Sequence, residues 1–267
     1  MDKQCIGVLA LALCLVPGIV AAAPMTVSPG IKNPVIMAEF VFDNNVRRTK
    51  DLPTSALRAA RRKMISGEAI SDVALQSLAD NGDGLAAFRF GKILQAADKP
   101  DPTGVAAHYF AIAAYTGRAF AVAPLARLLK TEGTGYAKSR LRHCLNAMTV
   151  QALSGNPKAA TLLGEMYADG EPFGLDLVQS QLFLNMAAGG DNPQGALRLG
   201  VSLMSDPADI AAGNVGALAA LGIAAAGDDL AARVTAENLL RMLATAPPAE
   251  ITGPVPTAPA PNSEVTQ

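Results

Sequence analysis

The chain has 267 residues, half of them hydrophobic, only 4% aromatic and none of them tryptophan, with 22 Lys plus Arg against 23 Asp plus Glu. The net charge is close to zero, and no nucleic-acid partner is expected. Beyond Cys5 and Cys14 the chain carries Cys144 alone, which excludes a disulfide scaffold.

Residues 1–22 read as a secretory signal peptide. Lys3 provides the positive start, residues 6–16 the apolar core and Val20-Ala21-Ala22 a small-residue cleavage motif. The mature chain is expected to begin at Ala23 and to be periplasmic or secreted. No second hydrophobic stretch is long enough to cross a bilayer, so no integral membrane span is expected. Residues 23–50, interrupted by Pro24, Pro29 and Pro34, read as irregular, with the apolar residues 35–42 suited to docking on the first helices.

Residues 51–245 carry an internal repeat. Asn156-Pro157 recurs as Asn192-Pro193, each followed at fixed offsets by a small residue, a leucine, a glycine and a large residue. These are Ala159, Leu163, Gly164 and Tyr167 in one copy, and Gly195, Leu199, Gly200 and Leu203 in the next. Fainter copies open at Asp83, with Ala86, Phe90, Gly91 and Leu94, and at Asp228. With Arg118 in register, the anchors 83, 118, 156, 192 and 228 are spaced by 35, 38, 36 and 36 residues. A period of this length means stacked helical hairpins, hence an all-α chain. Five hairpins and a final unpaired helix over residues 228–243, acting as a cap, are expected.

The second helix of each unit places small residues at Ser71, Ala106, Cys144, Ser180 and Gly216, with large ones three and four positions on, such as Tyr109-Phe110 and Phe183-Leu184. This spacing is amphipathic. Small residues facing small residues would let the two helices of a hairpin cross closely, so Gly91, Gly164 and Gly200 are expected at crossings and Gly174 in a loop. Cys144 then reads as a packing residue. Gly82, Gly117, Gly155 and Gly227 are expected to end helices in the left-handed conformation.

Residues 156–191, NPKAATLLGEMYADGEPFGLDLVQSQLFLNMAAGGD, resemble a Sel1-like repeat, with LG…Y…G in the first helix and an aromatic followed by AA in the second. Residues 83–117 and 192–227 resemble it too. Residues 118–155 depart from the pattern: Ala126 fills the glycine slot and Pro124 stands where it would obstruct a first helical turn. The resemblance implies an α/α solenoid of Sel1-like, tetratricopeptide-like hairpins with a regulatory or adaptor role. Some periplasmic relatives restrain the sensory domain of a histidine kinase, which makes an envelope sensor one expected partner class. Others are linked to the cell wall, so association with peptidoglycan or envelope polysaccharide is the alternative expectation.

Two surfaces are candidates for a protein or peptide partner. Residues 1–158 carry a net charge of +8 and residues 159–267 one of −9. The densest basic run is Arg47, Arg48, Lys50, Arg58, Arg61, Arg62 and Lys63, which reads either as a solvated helix face or as a docking surface for an anionic partner. Arg58, Arg61, Arg62 and Lys63 are its candidate contact residues. The other candidate is the first-helix groove, with Arg89, Lys92, Leu162, Glu165, Met166, Arg198 and Ser202 between the packing residues. No catalytic motif, phosphate-binding loop or metal-ligand spacing occurs, and His108 and His143 lie in different hairpins. No enzyme activity, metal or cofactor is therefore expected. The tail, residues 246–267, holds six prolines among small residues and is expected to be a disordered extension.

Overall fold

The computed structural model describes residues 46–97, 100–190 and 192–245. All described residues belong to a single compact unit. The expected signal peptide, most of the irregular segment and the proline-rich tail lie outside the described residues.

Among the described residues there are twelve α-helices and no strand. They are α1 (Ser55–Ile65), α2 (Asp72–Asp80), α3 (Gly84–Ala96), α4 (Val105–Tyr115), α5 (Val122–Glu132), α6 (Lys138–Leu153), α7 (Pro157–Asp169), α8 (Leu177–Gly189), α9 (Pro193–Leu203), α10 (Pro207–Ala211), α11 (Val215–Ala226) and α12 (Leu230–Thr245). The most extensive packing joins α3 to α4, α7 to α8 and α9 to α11, and α12 closes against α9 and α11. The divergent unit departs here as well. Its α6 packs on α4 and α7 far more than on α5.

The anchors start helices through their side chains. Asp83 Oδ1 accepts from Leu85 and Ala86 N–H, Asn156 Oδ1 from Lys158 and Ala159, and Asn192 Oδ1 from Gln194 and Gly195. The other side-chain atom of each reaches back to the preceding unit. Asn156 donates to Gln151 Oε1 and Asn192 to Thr161 Oγ1, whereas Asp83 accepts from Arg61. An amide serves where the neighbour accepts and a carboxylate where it donates. The last anchor is Asp229, one residue beyond the expected Asp228: its Oδ1 caps Ala231 and Ala232, and its Oδ2 accepts from Gln194.

The crossings are built by glycine against a large side chain, not small against small. A Cβ at Gly164 would lie 2.6 Å from Leu184 Cγ and 3.2 Å from Ser180 O, at Gly200 2.7 Å from Leu221 Cγ, and at Gly91 3.1 Å from the Phe110 ring. Ser180 seals the crossing by donating to Gly164 O at 2.8 Å. The other packing residues, Ala86, Ala159, Leu163 and Leu199, are buried, and Tyr167 is half-buried with its ring stacked on Phe183. We expect Gly164→Ala to destabilise the fold by about 1–3 kcal/mol through overpacking. Gly222→Ala, at an exposed helical position where a Cβ meets nothing within 4 Å, should stabilise it by roughly 0.5–1 kcal/mol. Urea unfolding of the two variants checks the contrast, and shifts of the same sign would contradict it. Gly174 is no neutral comparison, since its φ of 95° strains any side chain.

Gly82, Gly117 and Gly155 take φ of 84–90° after their helices as expected, but Gly227 has φ −78° and is needed for a different reason. Its missing Cβ leaves room for Pro193, whose Cβ would be 2.6 Å away. Ser71 is the N-cap of α2 and lies outside the helix. Pro124 is accommodated because a 3₁₀ turn, Ala119–Ala121, precedes α5 and leaves the proline in the helix's first turn, where its missing N–H is an orphan anyway. In α4, eight of eleven residues are buried, which is why its apolar side chains run all the way round.

Candidate interaction clefts

The basic run does not form one surface. Arg61 is 7% exposed and its guanidinium pairs with the Asp83 carboxylate, itself 1% exposed, while Nη1 donates to Thr49 Oγ1 at 2.8 Å. Arg58 is half-buried and donates to Leu52 O at 2.7 Å. Arg89, from the predicted groove, donates to Met64 O near the end of α1 at 3.1 Å. Three of the expected contact residues are therefore fastenings of α1 to its surroundings. Arg62 and Lys63 point to solvent, as does Lys92 on α3.

The groove positions divide in the same way. Met166 is fully buried and contributes to the core, and Leu162 is half-buried. Glu165, on α7, is held from both sides by Lys130 of α5 and by Arg198 Nε of α9 at 3.3 Å. These charges form a ladder across three successive first helices. Beside the ladder, a cleft of about 490 Å³ opens between α7, α8 and α9. Leu177, Val178 and Val201 stand in its wall 56%, 56% and 46% exposed, with Asp169, Ser202 and Asp206 at the rim. Gln181 donates to Asp206 at 3.1 Å and holds its carboxyl below the usual range, together with the Ala208 N–H. Such a cleft can hold apolar side chains against an acidic rim.

A second cleft, about 760 Å³, lies along the turns that follow α4 and α6. Thr116, Gly117 and Arg118 form one side, Ser154, Gly155 and Asn156 another, and Arg47 with Gly84 closes the end. Its floor is fixed by Gln151, 4% exposed, which donates to Ala114 O at 2.6 Å and accepts from Asn156. Among the described residues no carboxylate lines it. Arg47 belonged to the basic run, but Arg118 was readable only as a faint anchor.

No protein-family model matches the chain, and no curated protein matches it.

The two histidines, expected apart, are brought together where α4 meets α6, with ring centroids 4.9 Å apart. Burial lowers each pKa to about 4, helped by the Arg140 charge at both rings and by His108 at His143. His108 Nδ1 is buried and has no hydrogen-bond partner among the described residues. Neutral imidazoles so far below their ordinary pKa are packing groups at pH 7. Cys144 is fully buried, and burial pushes its thiol up to about 12, which suits the packing role expected of it. Among the described residues no group of three His, Cys, Asp or Glu could hold a metal ion, and no helix is long and apolar enough to cross a membrane. Tyr109, Phe110 and Phe183 are buried and Tyr167 is half-buried, whereas Phe120 is 52% exposed.

Proposed function

We propose that the chain is a non-catalytic Sel1-like α/α solenoid that acts in the periplasm or outside the cell as a scaffold or regulator, binding a protein or peptide partner such as an envelope sensor. The family reading is supported by the recurrence of one construction: a side-chain cap at Asp83, Asn156 and Asn192, then a glycine eight residues on, pressed against a large residue of a neighbouring helix. The binding reading is carried by Leu177, Val178 and Val201. Three aliphatic side chains left about half exposed around one cleft retain apolar surface worth roughly 25 cal/mol per Å² to whatever covers it.

Photocrosslinking tests this reading. A benzoylphenylalanine at position 178, expressed in the native host, should give one discrete polypeptide adduct, and the same probe at exposed position 222 should not. Adducts from neither position, or equally from both, would remove the scaffold reading. Retention of the protein on purified sacculi without a polypeptide adduct would replace it with the envelope-polysaccharide alternative.

A further inference from the structure

Of the five anchor positions, four carry Asp or Asn and use that side chain to cap a helix; Arg118 alone departs. Its backbone is nevertheless set for the same task. At φ −88° and ψ 86° it lies close to Asp83 (−76°, 107°), Asn156 (−84°, 101°) and Asn192 (−97°, 105°). It makes no side-chain cap bond. The repeat therefore forgoes a cap that its conformation would accept, and a residue that breaks the local rule without a compensating intramolecular contact calls for a function. The guanidinium has no ion pair or hydrogen bond among the described residues. Its stem is laid over Gly84, where a Cβ would come within 3.3 Å of Arg118 Cγ, and the side chain lines the 760 Å³ cleft. At the end of that cleft Arg47 supplies a second cation, and no carboxylate among the described residues lines the cleft to offset either.

We propose that the cleft between the turns after α4 and α6 holds a carboxylate-bearing segment of the partner, recognised by Arg118 and Arg47. This rests on the reading that the chain binds a protein, and it names the chemistry of that protein. A guanidinium presents two parallel N–H donors that match a carboxylate, so arginine at both sites is suited to reading Asp or Glu side chains. The cleft is large enough for several residues of an extended peptide. Because both cations face solvent, recognition should weaken steeply with salt.

The test uses the full chain and a fluorescein-labelled hexaglutamate peptide, followed by anisotropy at low ionic strength. Arg118→Asn, which restores the anchor residue of the other repeats, should weaken binding roughly tenfold or more while leaving the unfolding midpoint equal or higher. Arg142→Gln, which removes an exposed cation on α6 outside the cleft, should stay within about twofold of wild type. Equal weakening by both variants would mean diffuse charge attraction and would overturn the proposal. So would a lower unfolding midpoint for Arg118→Asn, which would make Arg118 structural, or displacement of the peptide by inorganic phosphate at an equal concentration of charge. If the peptide does not bind while the position-178 adduct still forms, this assignment fails and the scaffold reading stands.

Discussion

Arg61→Ala is expected to lower the unfolding free energy by about 3–5 kcal/mol, because it leaves the Asp83 carboxylate buried without its cation. The loss would be a large fraction of the stability of an ordinary domain. Asp83 is 1% exposed and keeps only its two backbone donors, Leu85 and Ala86, once Arg61 is gone. Arg62→Ala, one residue along the same run, should change stability by no more than about 0.5 kcal/mol, since Arg62 is exposed. The paired replacement Arg61→Met with Asp83→Asn should recover most of the loss. It converts the site to the neutral asparagine anchor already used at 156 and 192, and fills the arginine's space with an unbranched apolar chain. Urea midpoints of the four proteins check this. Indistinguishable Arg61→Ala and Arg62→Ala midpoints would mean that the ion pair contributes nothing.

Acid should loosen the molecule well before its carboxylates are fully protonated. His108 and His143 are depressed from 6.5 to about 4 in the folded chain, so between those values the unfolded chain binds protons that the folded chain refuses. Stability from the pair is fully present above pH 6.5 and is lost as pH falls through the window toward 4. Allowing for the solvent that still reaches each ring, the two together should account for about 2–4 kcal/mol across it. The groups facing them are Arg140, which adds to the depression, and each other; the His143 contact with His108 O opposes it. Unfolding midpoints measured from pH 7.5 to 4.5 should fall steeply in wild type and more gently in the His108→Gln/His143→Gln variant. Parallel curves would assign the acid sensitivity elsewhere.

The capping anchors and the crossing glycines were legible because both depend on short-range geometry that repeats. Asn before Pro can cap a helix wherever it stands, and a glycine at a fixed offset marks a close approach before its partner is known. The partner itself was not legible: Leu184, Leu221 and Phe110 face the glycines because of how the two helices are rotated, a property no spacing encodes. The basic run shows the same limit more sharply. Arg58, Arg61, Arg62 and Lys63 look alike in sequence, yet α1 turns Arg61 inward onto Asp83 and Arg62 outward, since successive helical positions differ by about 100°. His108 and His143 are 35 positions apart, and the packing of α6 on α4 makes them neighbours.

For this protein the sequence alone determined the helical class, the period and the identity of the small residues that let helices pack, because these rest on local propensity and on steric demands that recur in every unit. Which charges are spent inside and which remain exposed was decided only by the tertiary structure. Glu165 is neutralised between Lys130 and Arg198, Arg61 by Asp83, while Arg118, the one anchor without a cap, is left facing an open cleft. A charge is satisfied by whatever lies within about 4 Å of it, and that distance is set by how the helices pack on one another, not by neighbours along the chain.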